Sequence, residues 1–121
     1  MGVVGIDHVQ LAIPENGEAD ARHFFCGLLG MEEVAKPSNL SPSGCWFQDK
    51  GTNVHVGVDP GFRAATKAHP AFLVDNLVEL RSRLESEGFQ TKDDKPVDGY
   101  DRFFTSDPFG NRIEIMQRIS D

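Results

Sequence analysis

The sequence predicts an α+β fold built from two tandem βαβββ modules. Three observations lead to this prediction. A strand pattern followed by a helix pattern occurs twice along the chain, each helix ends at a glycine, and short strand candidates separated by turns follow each helix. A length of 121 residues fits one domain. We therefore expect a single domain, 1–121, with module 1 at 1–59 and module 2 at 66–121.

Each module opens with a strand and a helix. Residues 3–13 alternate apolar and polar side chains, which is the period of a half-buried strand, and residues 68–74 repeat this pattern. Residues 19–29 and 77–87 carry apolar side chains at helical spacing, a stripe that packs a helix on a sheet. Gly30 and Gly88 follow these helices, where glycine takes the left-handed conformation that ends a helix.

Three further strands are predicted in each module. They lie at 32–35, 44–48 and 53–58 in module 1 and at 89–92, 102–106 and 111–117 in module 2. Turn residues separate them, at 49–51 in the first module and at 107–111 in the second. Residues 36–44, rich in proline and serine, are expected to form an exposed loop. Because a half of about 60 residues buries too little surface to be stable alone, the two modules should share an interface.

Composition and charge exclude several classes of function. The chain has 12 Lys+Arg against 19 Asp+Glu, a net charge of -7, and no basic cluster, which argues against nucleic acid and anionic membranes as partners. No apolar run approaches the roughly 20 residues that span a bilayer, and the N-terminus lacks the features of a signal peptide. We expect a soluble, cytoplasmic protein. Cys26 and Cys45 form no CxxC pair and are expected to be buried free thiols.

Four polar residues lie on the strand face opposite the apolar side chains. His8 in the first strand corresponds to His69 in its repeat, and His55 in the last strand of module 1 corresponds to Glu114 in the last strand of module 2. If both modules curl with this face inward, the four side chains converge. Imidazoles and a carboxylate are suitable ligands for a divalent transition metal, so we expect metal binding by His8, His55, His69 and Glu114.

Simpler interpretations exist for these residues taken one at a time. A lone strand histidine is more often a satisfied or solvent-facing side chain than a ligand, and the repeat symmetry of the set favours metal binding here. His23, without a counterpart in the repeat, is expected to be a surface helix residue.

The sequence resembles the vicinal oxygen chelate superfamily, which includes glyoxalase I, bleomycin-resistance proteins, fosfomycin-resistance transferases and extradiol dioxygenases. The resemblance covers nearly the whole chain and rests on four segments, 7–14 (DHVQLAIP), 24–31 (FFCGLLGM), 69–77 (HPAFLVDNL) and 107–114 (DPFGNRIE). It implies paired βαβββ modules that form a curved mixed sheet around a cleft. It also implies a homodimer in which each site takes one module from each subunit.

The resemblance implies a function as well. His8, His69 and Glu114 match the family's set of two histidines and one carboxylate, whereas His55 stands where glyoxalase I usually has a carboxylate. The first hypothesis is a glyoxalase-like lyase or isomerase that uses Zn, Ni, Co, Mn or Fe to chelate adjacent oxygens of a small substrate. The alternatives are a small extradiol-type dioxygenase and a metal-free protein that binds a drug or metabolite. Neither the substrate nor the metal follows from the sequence.

Further residues are assigned to the substrate. Gln10 shares the face of His8 and could hydrogen-bond a substrate oxygen. Trp46 and Phe104 are expected to line the pocket, with core packing as the alternative for such aromatic residues. Tyr100 is the only tyrosine and is expected to donate a proton at the pocket mouth, while Glu114 is the expected catalytic carboxylate.

Overall fold

The structure, a computed structural model, describes residues 1–119 and confirms the α+β class. The chain divides into two compact units, unit 1 over Met1–Arg63 and unit 2 from Ala64 onward. Residues 120 and 121, the end of predicted module 2, lie outside the described residues. None of the helices within 1–119 is long and apolar enough to cross a membrane.

Unit 1 contains a four-stranded sheet with the strand order β1-β4-β3-β2. The strands are β1 Val9–Ile13, β2 Glu32–Val34, β3 Cys45–Asp49 and β4 Thr52–Val58. β1 runs parallel to β4, and the pairs β3–β4 and β2–β3 are antiparallel. The predicted strand at 3–13 is therefore shortened at its start. The parallel ladder begins at Val9, which pairs with Val54. Its partner strand β4 itself begins only at Thr52, directly after the turn from β3.

One helical segment follows β1, as predicted, but its second half is wound more widely than an α-helix. α1 spans Glu18–Arg22, and a π-helical segment continues over His23–Leu28. The backbone N–H of Leu29 donates to the carbonyl of Phe24, five residues earlier, at 2.9 Å. Phe24 and Phe25 are both fully buried, and Phe25 stacks on Phe47 of β3. The segment ends at Gly30 with a positive φ of 78°, as the sequence predicts.

Unit 2 contains a three-stranded sheet with the order β5-β7-β6 and one helix. The elements are β5 Ala71–Leu73, α2 Leu77–Ser86, β6 Tyr100–Ser106 and β7 Arg112–Arg118. β7 pairs with β5 in parallel and with β6 antiparallel. The α2 helix is capped by Asn76, whose Oδ1 accepts the backbone N–H of Glu79 at 3.2 Å.

The predicted strand at 89–92 is reduced to a single bridge. Lys92 pairs with Phe104 through two backbone bonds of 2.8 Å. The residues before it bond to side chains instead, since the carbonyl of Gln90 accepts from Thr105 Oγ1 and the hydroxyl of Thr91 accepts from Arg81 Nε. These side-chain bonds take the place of a regular ladder.

Burial of the apolar side chains agrees with the assigned faces of β1, β4 and β7. In unit 1 the apolar face of β1 and β4 is buried, with Ile13 and Val54 at 0% exposure. In unit 2 Ile113, Ile115 and Phe103 are likewise fully buried. Cys45 is a buried free thiol, as expected, and burial raises its pKa to about 11. Cys26 is also free, but it is only partly buried, although Phe24, Phe25 and Leu28 of the same helical segment are buried.

The turn between β6 and β7 is organised by one buried carboxylate. Asp107, 3% exposed, accepts the backbone N–H groups of Phe109 and Asn111 at 2.9 Å and the side-chain amide of Asn111 at 2.8 Å. Burial raises the pKa of Asp107, while these N–H donors act to lower it. The turn sets the register that places Phe104 opposite Glu114.

Replacing Asp107 with alanine should lower the free energy of unfolding by about 2–4 kcal/mol, because several buried N–H groups lose their acceptor together. Urea unfolding at a fixed protein concentration measures this loss. Asp98→Ala, which removes an exposed carboxylate, is the matched control and should change stability by less than about 0.5 kcal/mol. Equal losses in the two variants would contradict the structural role of the Asp107 hydrogen bonds.

Candidate metal and substrate site

Unit 1 brings His8 and His55 together in a stack of three rings. His8 lies directly before β1, while His55 in β4 pairs with Gln10 on one side and with Trp46 of β3 on the other. The ring centroids of His8 and His55 are 3.9 Å apart, and those of His55 and Trp46 are 4.0 Å apart. His55 is only 8% exposed. Adjacent strands therefore hold two imidazoles and the single tryptophan in contact.

Burial within the stack favours the neutral form of the His55 imidazole. Burial lowers the pKa of His55 below its usual value, and the nearby His8 lowers it further. His8 Nδ1 is 2.9 Å from Asp7 Oδ2, so this nitrogen donates to a carboxylate and Nε2 is left as the ligand atom. Histidines that bind metals usually have this arrangement, in which an acceptor holds the other ring nitrogen.

An open groove of about 740 Å³ lies beside this stack in unit 1. His8, Gln10, Trp46 and His55 line it, together with residues of the 36–44 loop. The side chain of Gln10 lies next to Gly57, where a Cβ would come within 3.1 Å of its amide nitrogen. Gln10 and Trp46, the predicted substrate residues of module 1, therefore line the same groove.

Unit 2 brings His69 and Glu114 together. His69 Nε2 and Glu114 Oε1 are 3.0 Å apart, and Arg102 Nη1 donates to Glu114 Oε2 at 3.2 Å. Glu114 is 8% exposed. His69 Nδ1 lies 3.0 Å from the carbonyl of Lys67, so Nε2, which faces the carboxylate of Glu114, would be the ligand atom, as at His8.

Phe104 adjoins this pair, whereas Tyr100 does not. Phe104 lies opposite Glu114 in the β6–β7 ladder, and its ring meets the edge of the His69 ring with centroids 5.2 Å apart. Tyr100 is four residues away along β6, opposite Arg118, and its hydroxyl accepts a hydrogen bond from Arg118 Nη1 at 3.0 Å. The structure therefore does not bring Tyr100 together with Glu114.

Each unit offers two metal donors. Among residues 1–119, no group of three or more His, Cys, Asp or Glu side chains lies close enough to hold a metal ion. Catalytic metal sites usually have three protein ligands, so each pair alone is one donor short. The imidazole nitrogens and the carboxylate are nonetheless donors of the kind that divalent transition metals prefer.

Sequence reasoning missed two arginines next to Glu114. Arg102 is bonded to its carboxylate, and the guanidinium carbon of Arg112 lies 4.0 Å from the centroid of the Phe104 ring. The sequence pattern could have identified Arg112, because alternation along β7 places it on the same face as Glu114.

Comparisons with known proteins agree on one family. The model of the Glyoxalase/Bleomycin resistance protein/Dioxygenase superfamily matches residues 5–115. A protein from Bacillus anthracis assigned to the glyoxalase family has a solved structure that is 42% identical, with a TM-score of 0.91 and coverage of 98% of each chain. A search of the curated proteins finds no match.

Two more distant structures share the fold. A variant of the fosfomycin resistance protein FosX from Listeria monocytogenes, in complex with Mn(II) and 1S,2S-dihydroxypropylphosphonic acid, is 18% identical with a TM-score of 0.79, over 98% of this chain and 95% of that one. The antibiotic-binding protein TnmS3 from Streptomyces sp. CB03234 is 19% identical with a TM-score of 0.73, over 97% and 100% of the chains.

Proposed function

Because the chain belongs to the Glyoxalase/Bleomycin resistance protein/Dioxygenase superfamily, we propose that it is a divalent-metal-dependent enzyme of the glyoxalase type. It would bind adjacent oxygens of a small substrate and carry out lyase or isomerase chemistry. The observation that carries this proposal is the matching arrangement of His8 and His69. In both residues Nδ1 lies within hydrogen-bond distance of an acceptor, the carboxylate of Asp7 and the carbonyl of Lys67, so Nε2 is the proposed ligand atom, and at His69 a bound cation would replace the contact of Nε2 with Glu114 Oε1.

The proposed ligands are His8 and His55 from one module and His69 and Glu114 from the other. Their chemistry suits Zn, Ni, Co, Mn or Fe, and the neighbouring FosX structure contains Mn(II). A bound divalent cation would withdraw charge from the substrate oxygens and stabilise the negative charge that develops on them. Since each unit has only two of these donors, we propose a homodimer in which a pair from one chain and a pair from the other bind the same ion.

The residues around the proposed metal ligands have separate proposed roles in proton transfer and substrate binding. Glu114 is the only carboxylate of the set, so it is the proposed group that accepts and returns a proton. Arg102 holds the second oxygen of this carboxylate in place. Gln10 would hydrogen-bond a substrate oxygen, while Trp46 and Phe104 would form apolar walls. The proton-donor role of Tyr100 and a cytoplasmic location stay predictions.

We expect protein purified without chelators to contain a divalent metal. His8→Ala and Glu114→Ala should each lower metal affinity at least ~100-fold, because removing a metal ligand should cost more affinity than removing a residue that only hydrogen-bonds to a ligand. Elemental analysis and metal titration measure this. The emission of Trp46 gives a second readout at the site, because its ring stacks on His55. His23→Ala, on the exposed surface of the helical segment, is the matched control. Unchanged metal affinity in both ligand variants would refute the proposal.

A second candidate is a metal-free protein that binds a drug or metabolite. The observation in its favour is that both oxygens of Glu114 already have partners, in His69 and Arg102. The neighbouring TnmS3 structure is that of an antibiotic-binding protein. Tight binding of a small molecule that chelator treatment leaves unchanged would favour this candidate. Oxygen uptake with Fe(II) and a catechol would instead favour the dioxygenase alternative.

A further inference from the structure

One face of the unit 2 sheet carries more positive than negative charge. Arg112 and Glu114 project from the same face of β7, and Arg102 and Phe104 share that face on β6 because Phe104 lies opposite Glu114. Two guanidinium groups and one carboxylate thus surround a single phenyl ring. The positive charge reaches the neighbouring loop, where the pKa of Asp94 is lowered first by the backbone N–H of Lys95 and then by Arg102 and Arg112.

The two arginines are held in different ways. Arg102 is nearly buried, with 12% of its side chain exposed, and donates to Glu114 and to the carbonyl of Lys95. Arg112 has no carboxylate within ion-pair distance among residues 1–119. Arg112 Nη1 lies 3.5 Å from the carbonyl of Lys67, at the far limit of a hydrogen bond, and 3.4 Å from His69 Nδ1, which already faces that same carbonyl. Arg102 forms an ion pair with Glu114, whereas Arg112 has no short hydrogen bond to an acceptor among the residues that the structure describes.

Phe104 fixes the position of Arg112. The guanidinium carbon lies 4.0 Å from the ring centroid, within the range of a cation–π interaction. A guanidinium group is planar and its N–H donors lie in that plane, so stacking on a ring leaves the donors available at its edge. This contact places the guanidinium group next to His69 and on the same face as Glu114.

We infer that Arg112 binds an anionic oxyacid group of the substrate, a carboxylate, phosphate or phosphonate. This inference rests on the proposed function, because it places the anionic group of the substrate at the proposed metal site. The substrate class is then narrowed to small acids with adjacent oxygens. The guanidinium fork matches the paired oxygens of such groups, and charge-assisted hydrogen bonds are the strong ones.

The test uses the full chain after chelator treatment, with inorganic phosphate and acetate as probes and backbone amide shifts of Ile113–Ile115 as the readout. We expect saturable binding of at least one probe with a Kd on the order of millimolar. Arg112→Gln should weaken it about 10–100-fold, the value of a charge-assisted hydrogen bond, and Arg112→Lys should restore part of it. Phosphate and acetate binding together distinguish the phosphorus oxyacids from carboxylates.

Arg118→Gln is the matched control, since Arg118 lies on the same strand and stacks on Tyr100 at 5.5 Å, away from Glu114. The absence of saturable binding of either anion, or equal weakening in the Arg112 and Arg118 variants, would overturn the inference. Metal titration of the same variants separates it from the proposed function. If Arg112→Gln loses anion binding but keeps its metal affinity, the result supports the inference. If the protein binds no metal but still binds the anion through Arg112, the inference holds and the proposed function fails.

Discussion

A mixed dimer of one His8→Ala chain and one Glu114→Ala chain should bind about half as much metal as the wild-type dimer, although each variant alone should bind almost none. If each site takes one module from each subunit, both substitutions fall in one site of the mixed dimer, and the other site is intact. If the site forms within one chain, each chain of the mixed dimer carries one damaged site and no metal binds. Co-expression with two affinity tags and tandem purification supplies the mixed dimer for elemental analysis.

The matched control pairs His8→Ala with His55→Ala. Both substitutions lie in the same module, so every shared site in this mixed dimer has lost a ligand and no metal should be recovered. Recovery in this control, or its absence from the His8 and Glu114 mixture, would contradict the exchange of modules between subunits. A stable monomer in sedimentation that still binds metal would contradict it too. The metal itself is tested separately by the single variants, so failure here leaves the ligand assignment standing.

The sequence was a good guide to the elements because local rules determine them. Strand and helix periods placed β3, β4, β6 and β7 within two residues of their observed ends, and Gly30 and Gly88 ended the helical segments as expected. The errors are tertiary in origin. Residues 3–8 follow a strand pattern but pair with no strand within residues 1–119, and Gln90 and Thr91 bond to side chains instead of a ladder.

Alternation along single strands also placed His55 of β4 and Glu114 of β7 opposite the apolar side chains, whereas His8 and His69 lie just before β1 and β5. The partners of these residues could not be predicted in the same way. The stacking of Trp46 on His55 and the bond from Arg102 to Glu114 depend on the register between strands, which a single strand pattern does not contain. The turn around Asp107 sets that register in unit 2, so its buried hydrogen bonds shape the site without touching it.

The loop beside the unit 1 groove depends on a close backbone approach at Gly44. This residue has a φ of 85°, and a Cβ there would lie 2.4 Å from the carbonyl oxygen of Val56, a backbone atom that cannot move aside cheaply. Its N–H donates to Glu18 Oε2 at 3.1 Å, and Lys36 Nζ bonds to the neighbouring carbonyl of Ser43. Val56 follows His55 directly, so the loop and the imidazole stack share one stretch of β4.

Gly44→Ala should therefore lower the free energy of unfolding by about 3 kcal/mol or more, because the strain of a left-handed backbone adds to a clash with the sheet. Gly30→Ala is the matched control. Gly30 has a similar φ of 78° but no atom within 4 Å of its would-be Cβ, so it should cost only about 1–2 kcal/mol. Urea unfolding at matched protein concentration gives both values, and Trp46 emission should change in the Gly44 variant alone. Equal costs would mean that the backbone conformation, and not the approach to Val56, is what requires glycine at this position. A larger cost at Gly44 would show that the groove wall is fixed by backbone packing, which holds the stack of His8, His55 and Trp46 in place for a ligand.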